Sequence, residues 1–327
     1  MNTDVAPTLV PPASASAGAQ SGSRWADRSF RLLCLGAALA VGVLLALVVW
    51  QLLKGSRLSL HQSGWKFFTG KIWNPVTDEF GALPFIFGTI ISSVIALLIA
   101  VPLGVGTAIY LTDLAPMRLR QPLTSLIEML AAVPSVVWGL WGLFVLMPML
   151  RAHAYPVLQK CFGFLPLFQG PIYGIGLLTS GVILAIMILP IITSVSREVL
   201  RSVPNLQREA AYALGATRWE VTRIAVLSYA RRGLFGAAVL GLGRAIGETM
   251  AVTMVIGNTP FVGASLFHPA STLASGIANE FTEATGDIYL SALFELGLVL
   301  LGLTILVNIL AQIMVRTFTT AETRRVA

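Results

Sequence analysis

Six long apolar runs dominate this sequence and limit its fold more than any other feature. A helix needs roughly 20 consecutive apolar residues to cross the hydrocarbon core of a bilayer. Because only 11% of the residues are charged, against about a quarter in soluble domains, the chain cannot cover a water-exposed surface. The sequence therefore predicts an all-α integral membrane protein with six transmembrane helices. The predicted spans lie at about 30–53, 83–111, 122–150, 175–196, 233–257 and 289–315.

The segment before the first run is rich in Ala, Ser, Pro and Gly, a composition typical of disorder. We predict a disordered cytoplasmic tail over 1–28 and a single transmembrane domain over 29–327. The first run is longer than the apolar core of a signal peptide, about 7–15 residues, so we interpret it as a retained anchor. Prolines inside the predicted spans are compatible with this interpretation, since neighbouring helices can satisfy the backbone groups that proline frees.

The distribution of Lys and Arg predicts the orientation in the membrane. The net charge is +7, and most of the basic residues fall in segments on the N-terminal side of the bilayer. The loop over about 258–288 lies on the other side and contains neither Lys nor Arg. Because basic loops remain cytoplasmic, we expect a multi-pass protein of the bacterial inner membrane with both termini in the cytoplasm.

No motif in the sequence predicts catalysis or a resident cofactor. There is no Gly-x4-Gly-Lys-Ser/Thr pattern, so the chain has no P-loop of its own. The two cysteines and three histidines lie in separate segments without metal-ligand spacing. We therefore predict no metal, no cofactor, no nucleic-acid partner and no enzymatic activity. Energy for any transport must come from a partner chain or an ion gradient.

The loop between the fourth and fifth runs, over 197–232, is too polar to cross a membrane. Asn205 suits a helix N-cap and Gly215 suits a C-terminal stop, which predicts a short surface helix ending at Gly215. Two interpretations are open. The helix is either a solvated or interfacial element, or a docking helix whose apolar residues enter a groove on a cytoplasmic partner.

Two charged residues, Arg244 and Glu248, fall in the middle of the fifth run and, four residues apart, share a helix face. A charge at that depth costs about 3 kcal/mol on insertion scales. Either the two form a structural pair, or Arg244 contacts a passing anion while Glu248 holds the guanidinium in place. Thr249 and Thr253 are candidates to line a polar path, although such hydroxyls often bond to their own backbone.

Two further acidic residues lie inside predicted spans. Glu128 falls near the cytoplasmic end of the third run, and Glu295 falls two turns inside the external end of the sixth. Each could pair with an Arg from another helix or extend towards the interface. The sequence names no partner for either residue.

The polar loop carries a family resemblance. The run Glu209-Ala210-Ala211, followed after three residues by Gly215, resembles the EAA loop of ABC importer permeases. The Ile and Pro that follow in the family pattern are absent here, where the chain reads Ala225-Val226-Leu227-Ser228. Longer runs resemble the phosphate-specific transport permeases of the PstC type. These are Trp73-Asn74-Pro75, Phe80-Gly81-Ala82-Leu83-Pro84-Phe85-Ile86, Gly139-Leu140-Trp141-Gly142-Leu143-Phe144 and Gly243-Arg244-Ala245-Ile246-Gly247-Glu248-Thr249-Met250-Ala251.

This resemblance implies a type I ABC importer permease of the MetI-like fold that moves inorganic phosphate inward by alternating access. The partners it implies are a second, homologous permease chain, a cytoplasmic ATPase dimer and an external phosphate-binding protein. It favours a substrate pathway at Arg244. It also implies that the ATPase docks on the loop residues Glu209, Ala210, Ala211, Leu214 and Gly215.

Three alternatives stay open on the sequence. One keeps the class and changes the substrate to another oxyanion, such as sulfate or molybdate, because one Arg does not distinguish these anions. A second is a gradient-driven anion carrier or channel, which would need no ATPase and would leave the EAA-like loop unexplained. A third is a membrane scaffold or sensor that transports nothing.

Overall fold

The computed structural model describes the backbone of residues 20–326 and the side chains of Trp25 and residues 27–314. Residues 1–19 of the predicted tail lie outside the described residues, whereas residues 20–28 are helical, since the first helix begins at Gln20. The chain divides into two units, Met1–Gln51 and Leu52–Ala327. The described part of the first is a stretch of one apolar helix.

Helices dominate the described residues, with one small hairpin. The hairpin pairs β1 (Trp73–Asn74) with β2 (Glu79–Phe80) in antiparallel register. The helices are α1 (Gln20–Gly55), α2 (Arg57–Ser63), α3 (Lys66–Thr69), α4 (Leu83–Ile109), α5 (Met117–Ala132), α6 (Ser135–Trp141), α7 (Met147–Met149), α8 (Tyr155–Phe162), α9 (Leu177–Arg201), α10 (Asn205–Ala213), α11 (Arg218–Glu220), α12 (Leu227–Gly247), α13 (Met250–Ile256), α14 (Leu273–Glu280) and α15 (Asp287–Val326).

Within the described part of the chain, six helical segments are long and apolar enough to cross a membrane, which confirms the predicted number. They run over Asp27–Gly55, Leu83–Leu114, Ser135–Phe162, Leu177–Arg201, Arg218–Gly247 and Asp287–Met314. Three of them continue through short π-helical stretches, at Tyr110–Leu114, at Gly142–Leu146 with Leu150–Ala154, and at Val221–Val226. The predicted fold class, an all-α integral membrane protein, is confirmed.

The third span lies further along the chain than predicted. Met117–Ala132 forms a separate helix, α5, in which no residue is buried. The chain is extended at Val133 and Pro134 before helix resumes. A proline disfavours helical conformation in the residue before it and lacks an N–H, so the helix predicted over 122–150 is wrong in its bounds.

The fifth span is not the single helix predicted over 233–257. It begins earlier, at Arg218, and α12 ends at Gly247. A second short helix, α13, then starts at Met250. It ends at Gly257, which adopts the left-handed conformation that suits glycine, with φ +93°.

Helices α4 and α9 pack along much of their lengths and form the centre of the second unit. Ala96 and Ala100 of α4 are fully buried against Leu184, Ile188 and Ile192 of α9. Small residues of this kind allow close helix approach in a membrane, where packing rather than water exclusion drives association. The pair is therefore a fixed frame on which the fifth span lies, since α12 packs on both helices.

An aromatic cluster joins the hairpin to α4 and α15. Trp73 packs edge-on against Phe80 and Phe85, with ring centroids 4.8 and 4.9 Å apart, and Phe80 stacks on Tyr289. Glu280 of α14 accepts hydrogen bonds from the Trp73 indole and the Tyr289 hydroxyl. These contacts hold the loops at one end of the bundle together.

Candidate functional site

The break in the fifth span lies at Glu248 and Thr249. Glu248 is extended, with φ −73° and ψ 124°, and helix resumes only after Thr249. Gly247 immediately before it has low helix propensity, and Thr249 is β-branched, so the local sequence weakens the helix here. The break follows directly on Gly247, the last residue of the apolar segment, and leaves two helix ends there. In membrane transporters such interruptions mark binding sites.

Arg244, in the last turn of α12, faces Glu248 at the break. Their nearest atoms, Nη2 and Oε2, are 4.0 Å apart, and the exposed fraction is 47% for the Arg side chain and 9% for the Glu side chain. Glu248 Oε1 also accepts the backbone N–H of Ala251 at 3.4 Å, at the positive end of α13. Among the described residues, Glu248 is the only acidic group within salt-bridge distance of Arg244. The guanidinium is therefore held at one edge and open at the others.

The face of α12 that carries Arg244 has no partner within the described chain. A Cβ added at Gly236, Gly243 or Gly247 would meet nothing within 4 Å, and Leu240 on the same face is exposed. Spacings of four, three and four residues place these positions on one side of the helix. This open stripe is the surface from which Arg244 projects.

Thr249 and Thr253 lie beside the break, and both hydroxyls bond to the backbone. The Thr249 hydroxyl donates to the Gly247 carbonyl at 3.4 Å, and the Thr253 hydroxyl donates to the Thr249 carbonyl at 2.7 Å. Each hydroxyl hydrogen is thus used locally. The oxygen lone pairs can still accept a hydrogen bond.

The polar loop forms the predicted short helix. Helix α9 extends to Arg201 and the fifth span starts at Arg218. The loop between these two spans is therefore shorter than the predicted loop over 197–232. Helix α10 covers Asn205–Ala213, with Pro204 rather than Asn205 at the N-cap. An N-cap at Asn205 implies a helix that starts at Leu206, so its start was predicted one residue too late.

Gly215 ends α10 as predicted. It adopts φ +82°, its N–H bonds to the Tyr212 carbonyl at 2.9 Å, and the Ala216 N–H bonds to the Ala211 carbonyl at 3.2 Å. This is a Schellman motif, in which a left-handed residue lets two N–H groups satisfy the last helical carbonyls. The conformation favours Gly because a Cβ is strained there.

Apolar side chains project from α10 and the turn that follows it. Leu206 is 75% exposed and Leu214 is 90% exposed. Glu209 and Ala210 are exposed on the same helix, and Ala211 is half-buried. The loop therefore presents two exposed apolar side chains, at Leu206 and Leu214.

A partly buried ionic contact, absent from the sequence-based predictions, ties α10 to the spans. Arg208 donates to Asp113 at 2.6 Å and to the Leu200 carbonyl at 2.9 Å. The other Asp113 oxygen accepts the Thr222 hydroxyl at 3.0 Å, and the Asp113 side chain is 10% exposed. The contact thereby joins the ends of the second, fourth and fifth spans to the loop helix.

The two acidic residues that had no named partner differ in the structure. Glu128 pairs with Arg197 of α9 at 3.3 Å, and Thr124 accepts from the same guanidinium at 2.5 Å. Glu295 of α15 is buried, and neither of its carboxyl oxygens has a hydrogen-bond partner among the described residues.

Comparisons with known proteins agree with this architecture. The family described as "Binding-protein-dependent transport system inner membrane component" matches residues 100–320. The "Phosphate transport system permease protein PstC" of Mesorhizobium japonicum is 51% identical over 88% of this chain and 89% of its own length. The protein of the same name from Haemophilus influenzae is 47% identical over 89% of this chain and 93% of its own length.

A solved structure supports the fold alone. It is titled "Crystal structure of a bacterial ABC transporter involved in the import of the acidic polysaccharide alginate". The match has a TM-score of 0.52 at 15% identity and covers 89% of this chain and 98% of that chain.

Proposed function

This chain belongs to the family of binding-protein-dependent transport system inner membrane components, and on that premise we propose that it is the permease subunit of an ATP-driven importer of inorganic phosphate. The observation that carries the proposal is the broken fifth span, with a half-exposed Arg244 beside the break. The names of the relatives supply the substrate, and the break supplies a place where it can pass.

Arg244 is suited to contact an oxyanion that must also leave. A guanidinium presents several N–H donors in a planar fork that matches tetrahedral oxyanions. Because Glu248 lies 4.0 Å away, its charge partly neutralises the site and weakens retention of the anion. Conduction requires such moderate binding.

Glu248 also gives a physical reason for phosphate over sulfate. Near neutral pH phosphate retains at least one P–O–H group, whereas sulfate has lost both protons. A carboxylate beside the anion accepts a hydrogen bond from phosphate and repels sulfate. The oxygens of Thr249 and Thr253 are further acceptors for the same proton.

The loop helix α10 is the proposed docking element for the ATPase. Leu206 and Leu214 would enter a groove on that partner, in the manner of helix-in-groove recognition. The Arg208–Asp113 contact would pass displacement of α10 to the start of the fifth span, whose other end carries Arg244. ATP-driven movement at the loop would thereby alternate access at the break.

The remaining partners follow from the same assignment. The open α12 face would meet a second, homologous permease chain, and a phosphate-binding protein would dock on the external loops. Both termini lie in the cytoplasm in this scheme, because α10 must face the ATPase there. The gradient-driven alternative needs neither the exposed leucines of α10 nor their link to Asp113.

The test is labelled phosphate uptake in cells that lack their own high-affinity system and receive this chain with its partner subunits. Uptake should require this chain and ATP. Excess sulfate should leave it unchanged in the unmodified importer and inhibit it in Glu248→Gln. Equal inhibition by sulfate in both would contradict the role of Glu248. Uptake that persists without the ATPase subunit would favour the gradient-driven carrier.

A further inference from the structure

A buried carboxyl in the sixth span lies outside the machinery described so far. Glu295 of α15 is 1% exposed, and both of its carboxyl oxygens are without a hydrogen-bond partner among the described residues. The Ser59 hydroxyl of α2 is close enough to interact with the carboxyl, although neither group meets the geometry of a hydrogen bond. Buried polar groups in native proteins are almost always paired, because an unpaired one is costly. One hydroxyl cannot satisfy both carboxyl oxygens, so the site lacks at least one hydrogen-bond donor.

Glu295 lines a cavity of about 330 Å³ whose other walls are apolar. This volume falls in the range of small-molecule sites in proteins. Leu60 of α2 and Phe68 of α3 form one end of the wall. A cavity with such walls does not hold water well, so water is a poor candidate for the missing donor.

The cavity extends along α15, and its two ends differ in polarity. Its α15 wall runs from Glu295 to Leu306. Glu295, Val299, Gly302 and Leu306 follow one helix face at spacings of four, three and four residues, and Leu298 and Leu303 flank them. At a rise of about 1.5 Å per residue the stripe is roughly 16 Å long. Its only ionisable group stands at the end nearest the short helices α2 and α3. The site fits an amphiphile with a donor group at one end and a hydrocarbon chain along the rest.

We propose that this cavity binds phosphatidylethanolamine from the outer leaflet, with its primary ammonium group on Glu295 and Ser59 and an acyl chain along the α15 stripe. The ammonium carries three N–H donors and the charge that a carboxylate requires. Phosphatidylglycerol lacks a cation, and a choline headgroup has no N–H to donate. Such a lipid would bridge α2 and α15, which already meet through the hydrogen bond from the Ser59 N–H to the Ser291 hydroxyl at 2.9 Å.

The test is lipid retention by the assembled importer, purified with all its subunits and exchanged into micelles that contain equal amounts of phosphatidylethanolamine, phosphatidylglycerol and phosphatidylcholine. Mass spectrometry of the retained lipids should show phosphatidylethanolamine enriched. Glu295→Gln should lower its retention roughly tenfold and leave the other two lipids unchanged. Glu79→Gln removes an exposed carboxyl on β2 and should change nothing.

A second variant tests the cavity without altering the carboxyl. A Cβ at Gly302 would meet nothing within 4 Å, so Gly302→Leu would fill the space where the acyl chain lies and should also lower phosphatidylethanolamine retention. Equal retention in wild type and both variants would overturn the proposal. Parallel loss of all three lipids on Glu295→Gln would also overturn it. So would a wild-type importer that shows no enrichment of phosphatidylethanolamine, which is the result expected if a partner chain covers the cavity. Retention is measured without transport, so this result does not depend on the substrate assigned above.

Discussion

The two ends of the helical segment Arg218–Gly247 are held in opposite ways. At its start, Thr222 bonds to a partly buried Asp113 that also holds Arg208 of the loop helix at 2.6 Å. At its end, Arg244 and Glu248 approach only to 4.0 Å and the helix stops. The segment is 30 residues long, about 45 Å at 1.5 Å per residue. Short polar contacts hold the first end to its surroundings, whereas the charged pair at the second end is longer and the helix is interrupted there.

A helix that transmits movement from an energy source to a gate needs two ends that differ in this way. A tight contact transmits displacement because it has a single favourable geometry. A loosely held end can exchange between arrangements at small cost, as regions that move during function must. Our account therefore assigns docking and coupling to the loop end and anion passage to the broken end. A substitution at one end should therefore affect a different step from a substitution at the other.

The largest effect is expected at the broken end. Arg244→Gln removes the charged donors and should lower phosphate uptake about 100-fold, because charge-assisted hydrogen bonds contribute about 1.5–3 kcal/mol each. Arg244→Lys keeps the charge without the fork and should be intermediate. Labelled uptake at matched membrane levels checks this. Equal uptake by the Gln and Lys variants would mean that the guanidinium does not contact the anion.

A smaller effect is expected from the exposed leucine at the loop end. Leu214 is 90% exposed, so Leu214→Ala should not change the stability of the chain. Loss of an interface anchor costs about 2 kcal/mol, and co-purification of the ATPase subunit should fall accordingly. Leu58→Ala, which alters an exposed leucine on α2, is the control. If both variants retain the ATPase equally, α10 is not its docking site.

The partly buried Arg208–Asp113 contact should matter more than a surface ion pair nearby. Asp113→Asn removes the charge that Arg208 needs and should destabilise the attachment of α10 by about 2 kcal/mol. Hydrogen exchange of the amides over 205–213 should speed up. Glu198→Gln is the comparison, since the Glu198 side chain is exposed and its contacts with Arg197 and Arg201 are 3.7 and 4.0 Å long. Such pairs contribute little. Similar exchange in both variants would contradict a fixed loop end.

The smallest effect is expected at the helix stop. Gly215→Val places a β-branched residue at φ +82° and should cost about 1–2 kcal/mol. Uptake should fall severalfold as the end of α10 frays. Gly215→Asn is the matched control, because Asn tolerates the left-handed conformation, and a Cβ there meets no neighbour. If Gly215→Asn lowered uptake as much as Gly215→Val, side-chain size rather than backbone conformation would be the cause.

Much of the fold was predictable, because a bilayer imposes a length on every helix that crosses it. The same hydropathy argument does not detect interruptions, and so it missed the stops at Pro134 and Glu248. Each had a local signal in the sequence. Val133 precedes a proline, and Gly247 precedes the charged residue at which the fifth span stops.

The site was predictable where the geometry is local and hidden where it depends on the fold. The stop at Gly215 follows from residue preference within one turn. Asp113 and Arg208 are 95 positions apart, and Glu128 and Arg197 are 69 apart. Only packing of separate spans brings such pairs together. For the same reason the sequence could not show that Glu295, unlike Glu128, is left without a partner among the described residues.

The most direct test of the central claim measures two quantities on two variants, phosphate uptake and retention of the ATPase subunit in the purified assembly. The account predicts that Leu214→Ala loses both. It predicts that Arg244→Gln loses uptake while it retains the ATPase subunit at the wild-type level. Loss of the ATPase subunit on Arg244→Gln, or full uptake by Leu214→Ala, would contradict the division of the fifth span into a docking end and an anion end.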